Sequence, residues 1–234
     1  MAAMSYSEFK KMVDLSKAEL CREVFARHPG AFRVKKEATV VRNLERIFAA
    51  ALRIANQKGF AAMTMRDLSA ETGMSMGALY AYFPAKEDLL AMLQDQRRSV
   101  TRRILEQRLA QASDPLERLR CAVRTHLYLS EAMQPWFFFA YMEARRLPPA
   151  ERRRTLEGEL ATERLFEDLL RQAAEAGAIA ARDFRLSASL LKAMLQDWYL
   201  KHWKHAGRKI TVDQYAAAVL DQIEHYRPGP GQNG

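Results

Sequence analysis

Apolar residues recur along this chain three and four positions apart, the period of a helix face, and no stretch alternates as a half-buried strand does. Over residues 38–58, Val40, Leu44, Ile47, Phe48, Ala51 and Ala55 share one side, and Gly59 supplies the stop. A second run opens at Thr64, whose hydroxyl can cap a helix, and Asp67 completes a capping-box-like pair. Leu68 and Thr72 share the inner face of that helix, and Gly73 ends it in a left-handed turn. Ser75 caps a third helix, with Leu79 and Phe83 turned inward and Met76, Gly77 and Ala78 in its outward-facing first turn. Pro84 breaks this helix, and Lys86 starts a long fourth one reaching about residue 111.

The periodicity continues downstream. Asp114-Pro115 pairs a cap with a proline at the first helical position and opens a helix carrying Leu119, Ala122, Val123, His126, Leu127 and Leu129. Pro135 opens a segment containing Trp136-Phe-Phe-Phe-Ala-Tyr-Met142, apolar on every side and therefore expected to be buried. A strongly charged helix follows from Pro148-Pro149 to Ala176-Gly177. Residues 184–206 read as one helix with Leu190, Leu191, Met194, Leu195, Trp198 and Trp203. Thr211 and Gln214 form a capping box for the last helix, which carries Tyr215, Val219, Ile223 and Tyr226. The fold class is all-α.

Residues 1–36 form an N-terminal extension, predicted to be partly helical. Ser16-Lys-Ala-Glu19 reads as a capping box before Leu20, Val24 and Phe25, Phe9 and Val13 mark an earlier turn or two, and His28-Pro-Gly30 ends the pattern. Such an amphipathic helix or hairpin is expected to pack on its own chain or on a partner subunit. Residues 228–234 are rich in Pro and Gly and read as a loose tail.

Two helices joined by a short turn containing Gly make a helix-turn-helix, whose second helix enters the major groove of DNA. A formal charge of +9 suits a polyanionic partner, but the charge is unevenly placed. Residues 1–36 hold eight Lys and Arg against four Asp and Glu, whereas residues 37–90 hold six of each. The positive face of the head must therefore come from local placement. Arg33, Lys35 and Lys36, just before the first long helix, can lie on phosphates or in a minor groove, or form a solvated linker.

Residues 40–93 resemble the DNA-binding head of the TetR family of bacterial repressors. The resemblance is carried by Gly73-Met-Ser-Met-Gly-Ala-Leu-Tyr-Ala-Tyr-Phe-Pro-Ala-Lys86-Glu-Asp-Leu-Leu90, preceded by a helix ending Lys58-Gly59-Phe60. It implies a three-helix head at 37–85 and a helical effector-binding and dimerisation domain at 86–227. It also implies that two heads of a homodimer meet a palindromic double-stranded operator one DNA turn apart. Met76, Gly77 and Ala78, after the cap Ser75, match base-edge positions. These side chains can touch thymine methyls but cannot make bidentate hydrogen bonds. Arg66 matches a position that can reach a base, and is the candidate for guanine recognition. Tyr80, Tyr82 and Lys86 match phosphate positions, Tyr80 having an alternative role in packing, and Thr64 can add a hydroxyl or the N–H groups of its helix.

The same resemblance implies a small hydrophobic effector, held between the fifth and eighth helices and releasing a repressor from its operator. The aromatic run with Trp136 and Phe137 would line the pocket, and His126, Tyr141 and Trp198 are its polar handles, although such residues also serve as plain core. Arg145 opens an arginine-rich turn that could take the phosphates of an acyl-CoA, or stand as a solvated turn beside Glu151, Glu157 and Glu159. A fatty acid is the related choice of effector. The last two helices carry more large apolar residues than one core face needs. Leu191, Met194, Leu195, Tyr215, Val219 and Ile223 are accordingly expected at a four-helix dimer interface. A regulator without a ligand and an activator remain open alternatives.

No nucleophile motif, phosphate loop or His/Glu metal spacing is present, so no catalytic residue, metal site or cofactor is expected and the chain does not read as an enzyme. Cys21 and Cys121 are isolated, as buried or idle thiols are. No apolar stretch approaches a membrane span of roughly 18 residues, and Glu8, Lys10, Lys11 and Asp14 interrupt any signal-peptide core. A cytoplasmic protein is expected.

Overall fold

A computed structural model describes residues 4–34, 36–147, 149–181 and 183–225, apart from the side chain of Arg146. Lys35, Tyr226 and the tail 228–234 lie outside them. Among the described residues there are twelve α-helices, one short 3-10 turn (Ala144–Arg146) and no strand, as the apolar spacing requires. The helices are α1 (Tyr6–Met12), α2 (Lys17–Arg27), α3 (Glu37–Lys58), α4 (Met65–Thr72), α5 (Met76–Tyr80), α6 (Lys86–Leu109), α7 (Pro115–Ala132), α8 (Gln134–Glu143), α9 (Pro149–Glu175), α10 (Phe184–Leu200), α11 (His202–Gly207) and α12 (Val212–Glu224). No helix among the described residues is long and apolar enough to cross a membrane.

The chain divides into two compact units: residues 13–99 with 135–155, and the remaining described residues. This division differs from the expected 1–36, 37–85 and 86–227. The extension is shared out, since α1 packs on α7 in one unit and α2 on α3 in the other.

The unit holding the helix-turn-helix is built on α3. Its inner residues Val40, Leu44, Ile47 and Phe48 are buried with Leu68 of α4, Leu79 of α5, Phe83, and Leu89, Leu90 and Leu93 of α6. Each such side chain contributes about 1.5–3 kcal/mol of hydrophobic stabilisation, which five residues of α5 could not supply through their own backbone bonds. The aromatic run also belongs here. Phe139 stands edge-on to Phe60 at 6.1 Å and Trp136 edge-on to Phe48 at 5.5 Å, while Gln94 Nε2 donates to the Ala140 carbonyl at 3.0 Å. The segment is not buried on every side, because Tyr141 and Met142 point into solvent.

The other unit packs Leu119, Val123 and Leu127 of α7 with Phe166, Leu169 and Leu170 of α9 and Leu191, Leu195 and Trp198 of α10. The expected single helix over 184–206 is interrupted at Lys201 (φ −116°, ψ 33°), so α10 and α11 are separate. The carboxylate of Asp197 gathers Lys201 Nζ at 2.7 Å, Lys204 Nζ at 2.8 Å and His205 Nε2 at 3.0 Å across this break. Burial raises the pKa of Asp197, but these three donors outweigh it and hold the carboxyl far below its ordinary range. No periodicity of apolar residues could reveal a break made by polar contacts.

The cap signals hold in detail. Thr64 and Asp67 form both bonds of a capping box, Ser75 Oγ accepts from the Ala78 N–H, Asp114 caps α7, and Thr211 with Gln214 caps α12. Ser16 caps α2 through its hydroxyl, but the expected box is only half made: the Ser16 N–H goes to Asp14 and the Glu19 carboxylate pairs with Arg22. Gly73 sits at φ 63°, ψ 18°, the left-handed conformation that turns α4 into α5. A Cβ there would meet only Arg46 Nη2, at an ordinary 3.6 Å, so backbone strain alone decides the substitution. Gly73→Ala is expected to lower unfolding stability by about 1–2 kcal/mol. The midpoint of urea unfolding at constant slope measures this, and an unmoved midpoint would mean that the turn tolerates a side chain.

Candidate nucleic-acid interface

The helix-turn-helix is held from behind by polar contacts as well as by its core. Arg46 of α3 donates to the Thr72 carbonyl at the end of α4, and Asn43 Nδ2 donates to the Tyr82 hydroxyl at 2.8 Å. Ser69 Oγ donates to the Met74 carbonyl at 2.7 Å, closing the turn between the two short helices. The Arg33 N–H reaches the Ala81 carbonyl at 3.5 Å, beside the end of α5. Lys58 meets Asp67 at 3.0 Å, and with the Thr64 cap this pulls the Asp67 pKa down to about 2. Arg53 pairs with Glu71. These contacts occupy three of the six head cations, Arg46, Arg53 and Lys58, on the protein itself.

What remains outward is a smaller set. Arg66 is exposed, and among the described residues its guanidinium has no partner. Gly77 is exposed, with open space on all sides of the point where a Cβ would stand, and Tyr80 is 43% exposed at the end of α5. Met76 is half-buried, and Ala78 packs against the core, so the first turn of α5 faces outward less completely than its sequence suggested. Ser75 and Thr64 are exposed but their hydroxyls are engaged as caps. Arg33 and Lys36 are exposed before α3, whereas Lys35 lies outside the described residues.

Two expected phosphate ligands have other partners. Tyr82 is 3% exposed, its ring 5.8 Å from Phe32 and its hydroxyl bonded to Asn43. Lys86 Nζ donates to the carbonyls of Phe60, Ala61 and Met63 at 3.3, 3.0 and 3.0 Å. An ammonium has three N–H donors, and all three are used inside the protein. The Lys86 side chain therefore pins the start of α6 to the loop after α3. Sequence reasoning also passed over Arg42, exposed on α3 one turn before Arg46 and without a carboxylate partner among the described residues. Its signal was a cation on the side of α3 opposite Val40, Leu44 and Ile47.

The expected ligand residues do not gather within either unit. Trp136, Phe137, Tyr141 and Arg145 fall in the unit with the helix-turn-helix, His126 and Trp198 in the other. Phe137 is buried under the guanidinium of Arg97 at 5.3 Å, and Arg145 and Tyr141 are exposed. The Trp198 N–H is already given to Glu131 at 3.0 Å, and its ring stacks on His205. Trp198 is part of the core of its unit. His126 is buried, edge-on to Phe166 and 3.5 Å from the buried ammonium of Lys192, which pairs with Glu159 at 3.0 Å. This centre on α7, α9 and α10 is a polar feature of that unit's interior.

The expected dimer residues divide the same way. Leu191, Leu195 and Val219 are buried in the protomer's own core, because they share the face of α10 or α12 that meets α7. Met194, Tyr215 and Ile223 line an open groove of about 590 Å³ together with Leu190, Ala193 and Asp197. Leu190 and Leu186 beside it are exposed. The outward face of α10 thus lies one position round from the one the leucine spacing suggested. Among the described residues no group of three His, Cys, Asp or Glu could hold a metal ion. Cys21 and Cys121 are unpaired, and burial pushes the Cys21 thiol up to about 12.

Comparison with known proteins agrees with this geometry. Residues 47–93 match the model of bacterial regulatory proteins of the tetR family, and residues 112–225 match that of the tetracyclin repressor-like C-terminal domain, so the two together span more than half of the chain. The HTH-type transcriptional regulator HbdR of Aromatoleum sp. (strain CIB) is 22% identical over 220 residues, covering 94% of this chain and 92% of HbdR. The crystal structure of the TetR-family regulator PfmR from Thermus thermophilus superposes with a TM-score of 0.70 at 25% identity, covering 79% of this chain and all of PfmR. AibR in complex with isovaleryl coenzyme A and operator DNA has the same fold, with a TM-score of 0.67 at 22% identity, covering 76% of this chain and 98% of AibR. The chain belongs to the TetR family. It is a DNA-binding transcriptional regulator, not an enzyme.

The carbonyl anchor of Lys86 predicts a distinct variant phenotype. Lys86→Met leaves three carbonyls short of a donor and is expected to cost about 1–2 kcal/mol, lowering the melting temperature by several degrees. The salt dependence of DNA binding should keep its slope. A stable variant whose slope falls by about one unit would return Lys86 to the phosphate backbone.

Proposed function

We propose that the protein is a dimeric repressor that reads a two-fold symmetric operator through α5 and Arg66 and leaves it when a small acyl ligand binds. The observation that carries the DNA reading is the division of α4–α5 into two faces. Leu68, Leu79 and Phe83 are buried, while Gly77, Tyr80 and the guanidinium of Arg66 stand in solvent with no protein partner among the described residues. Arg66 supplies the bidentate donor that the side chains of Met76, Gly77 and Ala78 lack. Tyr80, Thr64, Arg33, Lys36 and Arg42 are the candidates for phosphate contact. The neighbouring Arg53–Glu71 and Lys58–Asp67 pairs withhold positive charge from the groove.

The partner copy is assigned to the groove between α10 and α12. Its exposed Leu190 and half-buried Met194 and Tyr215 are too apolar to face water at no cost, and a closed two-fold dimer covers the same patch on both copies. The effector class rests on likeness. AibR was solved with isovaleryl coenzyme A and operator DNA, and thioesters of that kind are the first ligands to try. Ligand and DNA then oppose each other by one shared coupling factor.

Selection of duplexes from a random library, followed by operator release with isovaleryl coenzyme A, longer acyl-CoAs and free fatty acids, tests the whole reading. Failure of the purified protein to enrich any palindrome would end it. Arg66→Ala is expected to keep the melting temperature but to lose about 1–3 kcal/mol of discrimination at one base pair, with a wild-type sequence logo as the contrary result. Leu190→Glu is expected to give monomers by sedimentation and at least a hundredfold weaker operator binding, since two half-sites are no longer linked (an effective concentration lost, roughly 10²–10⁴ in affinity). A variant that remains dimeric would move the interface elsewhere.

A further inference from the structure

The recognition helix α5 has five residues, too few to hold a helix through its own backbone bonds. Its orientation is therefore set by what packs behind it and at its ends. Leu79 and Phe83 enter the core of α3, α4 and α6 from behind. The start of α5 is fixed by the Gly73 turn and the Ser75 cap. The other end runs directly into Ala81 and Tyr82, and there contacts arrive from residues 28–34, which precede the three helices of the head. All of these residues lie within one compact unit, 13–99 with 135–155.

The route by which the chain reaches this place is well defined. Helix α2 packs on α3 and buries Leu20, Cys21 and Val24. Gln96 Nε2 of α6 donates to the Leu20 carbonyl at 2.9 Å, and Arg27 pairs with Asp95 at 2.6 Å, so α2 is fixed on both α3 and α6. The His28 N–H closes α2 on the Val24 carbonyl at 3.1 Å. The Ala31 N–H then returns to the His28 carbonyl at 3.1 Å, past Gly30 at φ 88°. This turn delivers Phe32, 2% exposed, with its ring stacked on Phe25 at 6.4 Å and tilted against Tyr82 at 5.8 Å. The next N–H, that of Arg33, reaches the Ala81 carbonyl at 3.5 Å. From α3, Asn43 Nδ2 donates to the Tyr82 hydroxyl at 2.8 Å. Tyr82 is thus held by its ring and by its hydroxyl.

We infer that Phe32 is a positioning residue for base reading: it fills the space behind the Tyr82 ring and so fixes the end of α5 at the angle from which that helix meets base edges. Phe32 is buried and acts through Tyr82, not by touching DNA. Close packing transmits such a constraint, because a ring that loses its neighbour gains room to tilt and takes the adjoining backbone with it. Loosening the end of α5 costs contacts that depend on exact position, as base contacts do, more than contacts to phosphates, which tolerate displacement. The consequence for base reading rests on the DNA reading above, whereas the hold of Phe32 on α5 does not.

The test uses the full-length protein with Phe32→Ala and Phe32→Met, the latter conserving buried volume with a side chain that packs well on rings. Hydrogen exchange is followed in peptides covering residues 74–83 and 44–56. For Phe32→Ala, exchange at 74–83 should accelerate about threefold or more while the middle of α3 stays as in the wild type, since the loosening is local. Phe32→Met should exchange like the wild type in both. Acceleration confined to residues 17–34, or equal in α3 and α5, would reduce Phe32 to an ordinary core residue and overturn the positioning role. Should Phe32→Ala fail to fold, Phe32→Val removes the ring with a smaller cavity and is judged on the same peptides. In the DNA arm, affinity is measured for a duplex that the wild type selects from a random library and for a scrambled duplex of equal length. Phe32→Ala should lose about tenfold on the selected duplex, the order of one base contact, and less than about twofold on the scrambled one. Phe32→Met should recover the selected affinity. Equal losses on the two duplexes would overturn the inference. If wild-type protein selects no duplex, the DNA reading fails, while exchange at 74–83 still judges the hold of Phe32 on α5.

Discussion

Three carbonyls at the end of a helix-to-helix loop need donors, and one ammonium supplies them. Lys86 binds the carbonyls of Phe60, Ala61 and Met63, and so fixes where α6 begins relative to where α3 ends. Without this anchor α4 and α5 would have only their thirteen residues and one glycine turn to define their angle to α3. Helices of that length do not persist in isolation. The recognition element thus takes its rigidity from α3 and α6, through Arg46 at Thr72, Asn43 at Tyr82 and Lys86 at the loop. Each of these side chains has a partner inside the protein.

The reach of these contacts along the chain explains which parts of the interface were legible in the amino-acid sequence. Local signals read directly: the Thr64–Asp67 box, the Ser75 cap and the left-handed Gly73 each depend on residues within three positions of one another. The bounds of α3, α6, α7 and α12 followed from the same kind of signal. Tyr82 and Lys86 were legible as positions of the motif, but their contacts inside the protein were not. Their partners lie 39 and more than 20 positions away, and a motif cannot display a contact at that distance. The break at Lys201 escaped for a related reason, since charge–charge contacts of Asp197 made it.

The leucines of α10 show how far periodicity reaches. Spacing identified an apolar helix with two candidate faces, and it could not say which one its own protomer would cover. Leu191 and Leu195 went to the core because α7 lies against them, leaving Leu186, Leu190 and Met194 outward. The aromatic run of α8 is a similar case. Seven consecutive apolar positions suggested a pocket wall, yet Trp136 and Phe139 complete the core around Phe48 and Phe60, and Tyr141 and Met142 remain in solvent. Hydrophobicity measures the need for burial and does not name the partner.

The cluster of Lys192, Glu159 and His126 holds a buried ammonium against a half-buried carboxylate between α7, α9 and α10. A pair with one of its charges taken out of water contributes little net stability, and replacing such a pair with apolar residues is often neutral or better. The cluster links α7, α9 and α10 through directional contacts, whereas Leu127, Phe166 and Leu195 around it would tolerate sliding. Among the described residues of this unit, the Lys192–Glu159 pair is an ion pair in which one charge is almost wholly removed from water, and it therefore has much to lose or gain from a small displacement of α10.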